Sequence, residues 1–231
     1  MKHLIKPVVL SLALLSAGAA NAADTMTSAL GGQVVYDATT NLSWIANANL
    51  AATNTFGVSG INANGSMNWN TAQNWITAMD ASKYLGYSDW RLPTSDTCAW
   101  YNCTGSQMGN LFYNGLGQVA GQSITTTHNA NYSLFNNVQS YLYWSGTEYV
   151  KPYVGGCLRR CGGQYAWNPD LAWYFRTDVG YQNALNVNDG VFALAVRPGQ
   201  VAAVPEPSTT LLFGVGLLAM IGVVRRRLAL R

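Results

Sequence analysis

The fold of this chain is decided at the stretch Asp89-Trp90-Arg91-Leu92-Pro93-Thr94, which joins a predicted helix to a predicted sheet. Proline locks φ and has no N–H, so Pro93 marks the change from helical to extended chain. Arg91 lies between Asp89 and Asp96, and a planar guanidinium can join several carboxylates and carbonyls. We predict that Arg91 forms a structural ion pair here instead of binding an acidic ligand. The predicted structural residues are Asp89, Trp90, Arg91 and Pro93.

The residues before this junction predict one helix. Apolar side chains recur there at the spacing of a single helical face, which is the pattern of a helix packed on a core. Asn70 is the predicted N-cap, Gln73 completes a capping box, and Gly86 ends the helix. The predicted buried face comprises Ala72, Trp75, Ile76 and Met79.

A β-hairpin and a long loop precede this helix. The runs 34–36 and 42–45 are rich in β-forming residues and flank an Asp/Thr/Asn cluster, in which Asn41 favours a left-handed turn. Residues 46–68 contain few large apolar side chains. We therefore predict a surface loop for them.

The residues after the junction predict a second helix and then strands. Ser106 is a favourable N-cap, and Gly117 ends the helix. Its predicted buried face comprises Met108, Leu111, Phe112 and Leu116. The predicted strands are 141–145, 171–176, 181–187 and 191–197. Because Asp189-Gly190 favours a tight turn, the last two runs are predicted to form a hairpin.

Two local cysteine pairs predict two disulfides. Cys98 and Cys103 form one pair, and Cys157 and Cys161 form the other. An even number of cysteines at short spacing favours disulfides in an oxidising compartment. The alternative, a four-thiolate zinc site, is disfavoured because neither pair has the two-residue spacing of a zinc knuckle.

The first 22 residues have the pattern of a secretion signal. Lys2 and Lys6 precede an apolar run over 8–15, and Ala20-Asn21-Ala22 supplies the small residues that signal peptidase needs. The alternative, an N-terminal membrane anchor, is disfavoured because the run is far shorter than the ~20 residues that span a bilayer. We predict that residues 1–22 are removed during export.

Residues 204–231 form a tail of three parts: the motif Pro205-Glu206-Pro207, an apolar run, and the basic cluster 225–227. A helix over 208–224 would be roughly 25 Å long at ~1.5 Å per residue, which is a marginal membrane span. The positive-inside rule keeps the arginines cytoplasmic. The rest of the chain is therefore expected on the outer side of the membrane.

This tail resembles the PEP-CTERM sorting signal of Gram-negative bacteria, and all three parts match. The resemblance implies anchoring in the inner membrane, facing the periplasm. An exosortase would then cleave near Pro205-Glu206-Pro207 and pass the protein toward the cell surface. Organisms with this system often make extracellular polysaccharide.

The region between the two ends, residues 23–203, is predicted to be one domain. It carries seven basic and nine acidic side chains, a net charge of −2. Nucleic-acid binding requires a basic face, so this function is excluded. A region of this length buries enough apolar surface for a single core.

Seven short motifs in this region carry a family resemblance. They are Val35-Tyr36-Asp37, Leu42-Ser43-Trp44, Trp69, the stretch 89–94, Tyr143-Trp144-Ser145, Ala172-Trp173 and Ala195-Val196-Arg197. In order and spacing they resemble the Lcl C-terminal domain family over residues 34–197, and the Arg-Leu-Pro-Thr core is similar to the C-type-lectin-like and formylglycine-generating-enzyme superfamily. The resemblance implies an α+β fold, C-type-lectin-like, with two helices packed on a twisted, mostly antiparallel sheet and long loops. The family is named after a collagen-like adhesin, but this chain has no collagen-like repeat, so trimeric adhesion is not carried over.

The lectin resemblance points to one candidate calcium site. C-type lectins bind calcium and sugar through a Pro-containing loop and a later Asn-Asp pair, and calcium takes 6 to 8 oxygen ligands. The matching residues here are Asn168, Asp170, Asn188 and Asp189. The alternative is that both segments form ordinary turns. We predict no cofactor, with calcium as the alternative.

Six of the eight tryptophans divide into two groups. Those in predicted helices and strands are expected in the core: Trp75, Trp90, Trp144 and Trp173. Trp100 and Trp167 lie in the cysteine-bounded loops and are the candidates for ligand contact. His128, the one histidine between residues 23 and 203, is predicted to be a solvated loop residue.

No catalytic or metal-binding residues are predicted. With one His and one Glu between residues 23 and 203, a catalytic triad or a zinc hydrolase has too few groups to work with. The predicted function is an exported surface or matrix protein that binds polysaccharide or a surface protein without catalysis. The alternatives are an enzyme that acts on extracellular polysaccharide through paired carboxylates, and a purely structural matrix protein.

Overall fold

A computed structural model describes residues 25–150 and 170–202. They form an α+β fold in which two helices accompany two antiparallel four-stranded sheets, rather than the single sheet that was predicted. The strands are β1 Met26–Ala29, β2 Val34–Asp37, β3 Leu42–Ile45, β4 Trp100–Tyr101, β5 Leu142–Glu148, β6 Leu171–Arg176, β7 Tyr181–Asn186 and β8 Val196–Pro198. The helices are α1 Trp69–Ala81 and α2 Gln107–Asn110, and α2 continues as a π-helical turn over Leu111–Gly115. Short 3-10 turns cover Leu30–Gly32, Leu50–Ala52, Tyr84–Gly86 and Ala130–Leu134.

The first sheet has the strand order β1-β2-β3-β8. The predicted hairpin is confirmed as β2 and β3, which pair over all four residues of each strand. Asn41 takes the predicted left-handed conformation at φ 53°. Asp37 stabilises the turn because its carboxylate accepts a hydrogen bond from the Thr39 N–H at 2.9 Å. The edge strand β1 was not predicted.

The second sheet has the strand order β4-β7-β6-β5. Its centre is the β6–β7 hairpin, which pairs over six residues of each strand. Along β5 the register with β6 shifts between Trp144 and Glu148, so the end of β5 departs from the regular ladder. The short edge strand β4 pairs with Gln182 and Tyr181 of β7.

Helix α1 confirms the predicted apolar face but not the predicted cap. Its buried residues are Ala72, Trp75, Ile76 and Met79. The N-cap is Asn68, whose side chain accepts from the Thr71 N–H at 2.8 Å. Asn68 has the extended backbone of a cap, whereas Asn70 already lies inside the helix. The helix ends at Ala81, before the predicted Gly86.

Helix α2 confirms its predicted start. Ser106 is the N-cap, and its hydroxyl accepts from the Gly109 N–H at 3.0 Å. The predicted face is buried throughout: Met108, Leu111, Phe112 and Leu116. Gly117 follows with a positive φ of 67°, which ends helical structure at the predicted position.

The predicted hairpin between 181–187 and 191–197 is wrong. The strand β8 pairs with β3 in the first sheet and not with β7. Residues 191–195 cross between the sheets, where the Trp144 N–H donates to the Phe192 carbonyl at 2.9 Å and the Ile45 N–H donates to the Ala195 carbonyl at 3.0 Å. These five consecutive residues are apolar and all buried. They suit a crossover buried on all sides rather than a hairpin strand with one face in water.

The predicted surface loop over 46–68 is only partly at the surface. Ala46, Ala48, Leu50, Ala51 and Met67 are all buried, because small side chains allow the backbone to pack closely against the core. His128, by contrast, is exposed as predicted and stacks on Tyr132 at 4.0 Å between ring centres.

The predicted signal peptide and sorting tail lie outside the described residues. Along residues 25–150 and 170–202, none of the helices has both the length and the apolar character needed to cross a membrane.

Candidate ligand-binding site

Arg91 connects the junction to helix α2 through neutral groups. Its Nη1 donates to Gln107 Oε1 at 2.7 Å and to the Leu92 carbonyl at 3.2 Å. Gln107 Oε1 also accepts from the Thr94 N–H at 2.9 Å. Partial burial lowers the pKa of Arg91 from its ordinary value. The predicted ion pair of Arg91 is therefore wrong, since its described partners carry no charge.

Asp89 does form an ion pair, but its partner is Arg197 on β8. The guanidinium donates to Asp89 from Nε at 2.7 Å and from Nη2 at 2.9 Å. The Cζ atom of Arg197 lies 4.0 Å from the centre of the Tyr87 ring. Because the Arg197 side chain is only 10 % exposed, this bidentate pair fixes the chain after α1 to the first sheet.

Trp90 and Pro93 complete the junction. Trp90 is buried, and its Nε1 donates to the Tyr84 carbonyl at 3.1 Å. The Pro93 carbonyl accepts from Ser145 Oγ and from the Gly146 N–H, each at 2.9 Å. The stretch 89–94 thus contacts β8 on one side and β5 on the other, and it positions the loop that follows.

That loop contains the Cys98–Cys103 disulfide, one of the two that were predicted. Between the cysteines, Trp100 has a positive φ of 84°, which a bulky side chain rarely adopts. Trp100 is nevertheless 65 % exposed. The disulfide and the pairing of β4 with β7 hold it in this conformation.

Trp100 is part of an exposed aromatic platform formed by Trp100, Tyr101 and Tyr181. Both β4 rings pack edge-on against Tyr181, Trp100 at 5.7 Å and Tyr101 at 5.3 Å between ring centres. Tyr101 is 45 % exposed. Exposed apolar surface concentrated in one place is a recurring feature of binding sites.

A cavity of about 370 Å³ adjoins the platform, and we call it the acidic cavity. Its walls come from the loop after the junction, the end of β5, and strands β6 and β7. Two carboxylates, two aromatic rings and one amide line it: Asp96, Glu148, Tyr149, Trp173 and Asn183. Hydroxyl groups come from Ser95, Thr97 and Thr147.

The two carboxylates of the cavity differ in their surroundings. Asp96 Oδ1 accepts from the Cys98 N–H at 3.2 Å and from Gln182 Nε2 at 3.0 Å. Gln182 is fully buried and also donates to the Cys98 carbonyl at 2.6 Å. Asp96 is therefore held in one orientation. Glu148 is exposed, and its side chain has no hydrogen bond or ion pair to any described residue.

The aromatic wall of the cavity consists of Trp173 and Tyr149, which meet nearly edge to face at 5.1 Å. Trp173 is buried, as predicted for a core residue, but it also lines the cavity. Its indole N–H has no acceptor among the described residues. Among the described residues, the fully buried side-chain atoms without a partner are Trp44 Nε1 and Asn110 Oδ1, so the Trp173 N–H is not fully sealed from solvent.

The platform and the cavity adjoin each other. Asn183 lines the cavity, and its Nδ2 donates to the Tyr181 hydroxyl of the platform at 2.8 Å. On the other side, Ala99 lines the cavity directly before Trp100. A ligand on the platform can therefore extend into the cavity.

The candidate calcium ligands are brought together in part. The Val187 N–H donates to the Asp170 carbonyl at 3.0 Å, so Asp170 lies near Asn188 and Asp189 at one end of the β6–β7 hairpin. All three side chains are exposed. Within residues 25–150 and 170–202, no group of three or more His, Cys, Asp or Glu side chains is arranged to hold a metal ion.

Other predicted residues lie outside the described ranges. These are Trp167, Asn168, the Cys157–Cys161 pair and the sorting motif Pro205-Glu206-Pro207. Sequence reasoning missed Glu148, Tyr149 and Asn183. The signal for Glu148 and Tyr149 was an acidic and an aromatic residue shortly after the predicted strand 141–145. Asn183 looked like any other strand residue.

Comparisons with known proteins place the chain in a family. No match was found among curated proteins. The PEP-CTERM protein-sorting motif matches residues 203–227, which marks the protein for export, for membrane anchoring before processing, and for handling by an exosortase. The model of the Lcl C-terminal domain matches residues 33–197, well over half of the chain. This exported protein belongs to the Lcl C-terminal domain family.

Proposed function

We propose that the domain binds a carbohydrate polymer on the aromatic platform, outside the cell and without catalysing its breakdown. The observation that supports this proposal is Trp100, which is 65 % exposed although its φ is 84°. The strained backbone of Trp100 is unfavourable. Burial of the side chain does not offset this strain, because an exposed indole buries little apolar surface. A ligand that covers the ring would supply the missing contact.

The chemistry of the platform suits sugar rings. A pyranose carries C–H groups on its faces, which pack on aromatic rings, and hydroxyls around its edge, which form hydrogen bonds. Tyr101 and Tyr181 combine an apolar ring with a polar hydroxyl. Since the acidic cavity adjoins the platform, the surface fits several linked sugars better than one.

Although the fold is expected to be C-type-lectin-like, we propose that carbohydrate binding here requires no metal ion. The platform residues and the cavity bind without calcium in this account, so affinity should be the same with added calcium and with EDTA. A loss of binding in EDTA would instead support the site near Asp170, Asn188 and Asp189.

Hydrolysis of a polysaccharide is the second candidate function, and one observation favours it. Asp96 and Glu148 line the same cavity, and glycoside hydrolases act through paired carboxylates. Binding is better supported than hydrolysis, because Asp96 has a structural role. Its carboxylate accepts hydrogen bonds from Cys98 and Gln182 and so orders the disulfide loop. Release of new reducing ends from a bound polysaccharide, abolished in Glu148→Gln, would establish hydrolysis.

The test is a titration of the full chain, purified in a detergent without a sugar headgroup. The ligands are the exopolysaccharide of the producing organism and a panel of oligosaccharides. Trp100→Ala should weaken binding by about tenfold or more, as expected for an aromatic anchor. Tyr141→Ala is the matched control, because Tyr141 is 51 % exposed but precedes β5, at the opposite edge of the sheet from β4.

Two results would contradict the proposal. One is the absence of binding to every glycan, which would leave a structural or protein-binding role. The other is an affinity that falls equally in Trp100→Ala and Tyr141→Ala, which would mean that the platform is not the binding surface.

A further inference from the structure

We infer that the acidic cavity binds a sugar residue with a positively charged amino group, so that the polymer recognised contains free hexosamines. This inference rests on the carbohydrate binding proposed above and specifies its chemical class. The platform would stack one sugar ring, and the cavity would hold the amino group of a neighbouring ring.

The first step is the charge of the cavity. Asp96 and Glu148 both line it, and none of the described lining residues is Lys, Arg or His. The described ion pairs join Arg176 to Asp178 and Arg197 to Asp89, so neither arginine is paired with a carboxylate of the cavity. A cation brought by the ligand is the group that would balance the two carboxylates.

The second step is that each carboxylate keeps an oxygen that accepts from no described donor, although Asp96 Oδ2 lies against the Gly105 backbone. Asp96 uses Oδ1 for the Cys98 N–H and the Gln182 amide, which fixes its orientation. No described donor is bonded to its Oδ2. The Glu148 carboxylate has no partner among the described residues, and Glu148 lies at the end of β5, after the shift in register.

The third step is the aromatic wall. Tyr149 and Trp173 present two rings to the same space, and aromatic rings beside carboxylates attract ammonium groups through cation–π contact. The unpaired Trp173 N–H needs an acceptor, which a sugar hydroxyl or ring oxygen supplies. Calcium would use neither feature, since it takes 6 to 8 oxygen ligands. A cationic sugar uses both.

The size of the cavity agrees with one sugar residue. Small-molecule sites typically have about 300–1,000 Å³, and this cavity has about 370 Å³. The Asn183–Tyr181 hydrogen bond joins the cavity to the platform. A sugar residue in the cavity can therefore belong to the same polymer as the sugar stacked on the platform.

The test compares three β-1,4-linked hexamers that differ only at carbon 2: glucosamine, N-acetylglucosamine and glucose. They are titrated against the full chain in detergent below neutral pH, where the amine is charged. The glucosamine hexamer should bind at least about tenfold more tightly than the other two. Glu148→Gln, which keeps the shape and removes the charge, should reduce that preference to about threefold or less.

The control separates the site from general attraction of a cationic ligand to an acidic protein. Asp80→Asn changes the net charge by the same amount on α1, and the amide still accepts from the Trp90 N–H. This variant should keep the full preference. The inference would be overturned if Asp80→Asn and Glu148→Gln lost the preference for glucosamine equally, or if the wild-type chain showed no such preference. In either case, binding of neutral glycans that depends on Trp100 would still support the proposed function. No binding of any hexamer or of the exopolysaccharide would overturn both.

Discussion

The first sheet and the β4 edge of the second sheet place a tryptophan in opposite ways. In the first sheet Trp44 is 1 % exposed, and beside it Arg197 covers the Tyr87 ring. In the second sheet Trp100 is 65 % exposed at a positive φ, next to Tyr101 and a cavity whose described lining carries two carboxylates and no basic side chain. The tryptophan of the first sheet therefore contributes to the core. The edge of the second sheet carries features that packing alone does not require.

Removing the same residue type from the two sheets should give the largest contrast. Trp44→Ala deletes a buried indole and should lower the free energy of unfolding by about 3–5 kcal/mol. Trp100→Ala deletes an exposed one and should change it by less than about 0.5 kcal/mol. Denaturant titrations followed by circular dichroism measure both values. Similar losses would show that Trp100 belongs to the core and would break the comparison.

Elements that depend on neighbouring residues were predictable from the sequence. The β2–β3 hairpin follows from Asn41 and its flanking runs, and the buried faces of α1 and α2 follow from helical spacing. Even there, the choice between Asn68 and Asn70 as the cap of α1 was beyond prediction. Either residue suits a cap chemically, and tertiary contacts decide where the helix begins.

Features that depend on distant residues were not predictable. The partner of Asp89 is Arg197, 108 residues away, and charge alone cannot distinguish Arg197 from the nearer Arg91. The Asp189-Gly190 turn suggested a hairpin, but the following apolar run is buried between the sheets. The candidate site shows the same division, because Trp100 could be proposed from its loop whereas the cavity requires the pairing of β5, β6 and β7.

Arg197 of the first sheet should contribute more to stability than Arg91 of the junction. Arg197→Ala should cost about 2–3 kcal/mol, because it breaks a bidentate pair and a ring contact. The cost stays below that of a fully buried pair because Asp89 is 44 % exposed. Arg91→Ala should cost about 1 kcal/mol, since it loses neutral hydrogen bonds.

Thermal denaturation ranks the two variants, and glycan titration completes the test. Both variants should keep the affinity of the wild-type chain, because neither residue belongs to the platform or the cavity. An unchanged melting temperature with lost affinity in Arg91→Ala would assign that arginine to the binding surface.

Opening the disulfide should affect the second sheet more than the first. The double replacement of Cys98 and Cys103 by Ser should lower stability by about 2 kcal/mol, the value of the chain-entropy model for a short loop. It should also weaken glycan binding, because Trp100 is no longer held in its strained conformation. Near-wild-type affinity in this variant would mean that the platform forms without the disulfide.

The smallest expected effect reports the strain at Trp100 itself. Glycine adopts a positive φ without penalty, so Trp100→Gly should be more stable than Trp100→Ala by about 1 kcal/mol. Tyr101 has no positive φ, and there the order should reverse, with Tyr101→Gly less stable than Tyr101→Ala. The same order at both positions would show that the Trp100 backbone stores no strain.

The most direct test of the account is hydrogen–deuterium exchange of the full chain with and without a bound oligosaccharide. We expect slower exchange at the loop 95–103, at the end of β5 and at residues 181–183, with no change in β1, β2, β3 or β8. Protection confined to the first sheet, or protection nowhere in the described regions despite saturating ligand, would contradict the claim that the second sheet carries the binding surface.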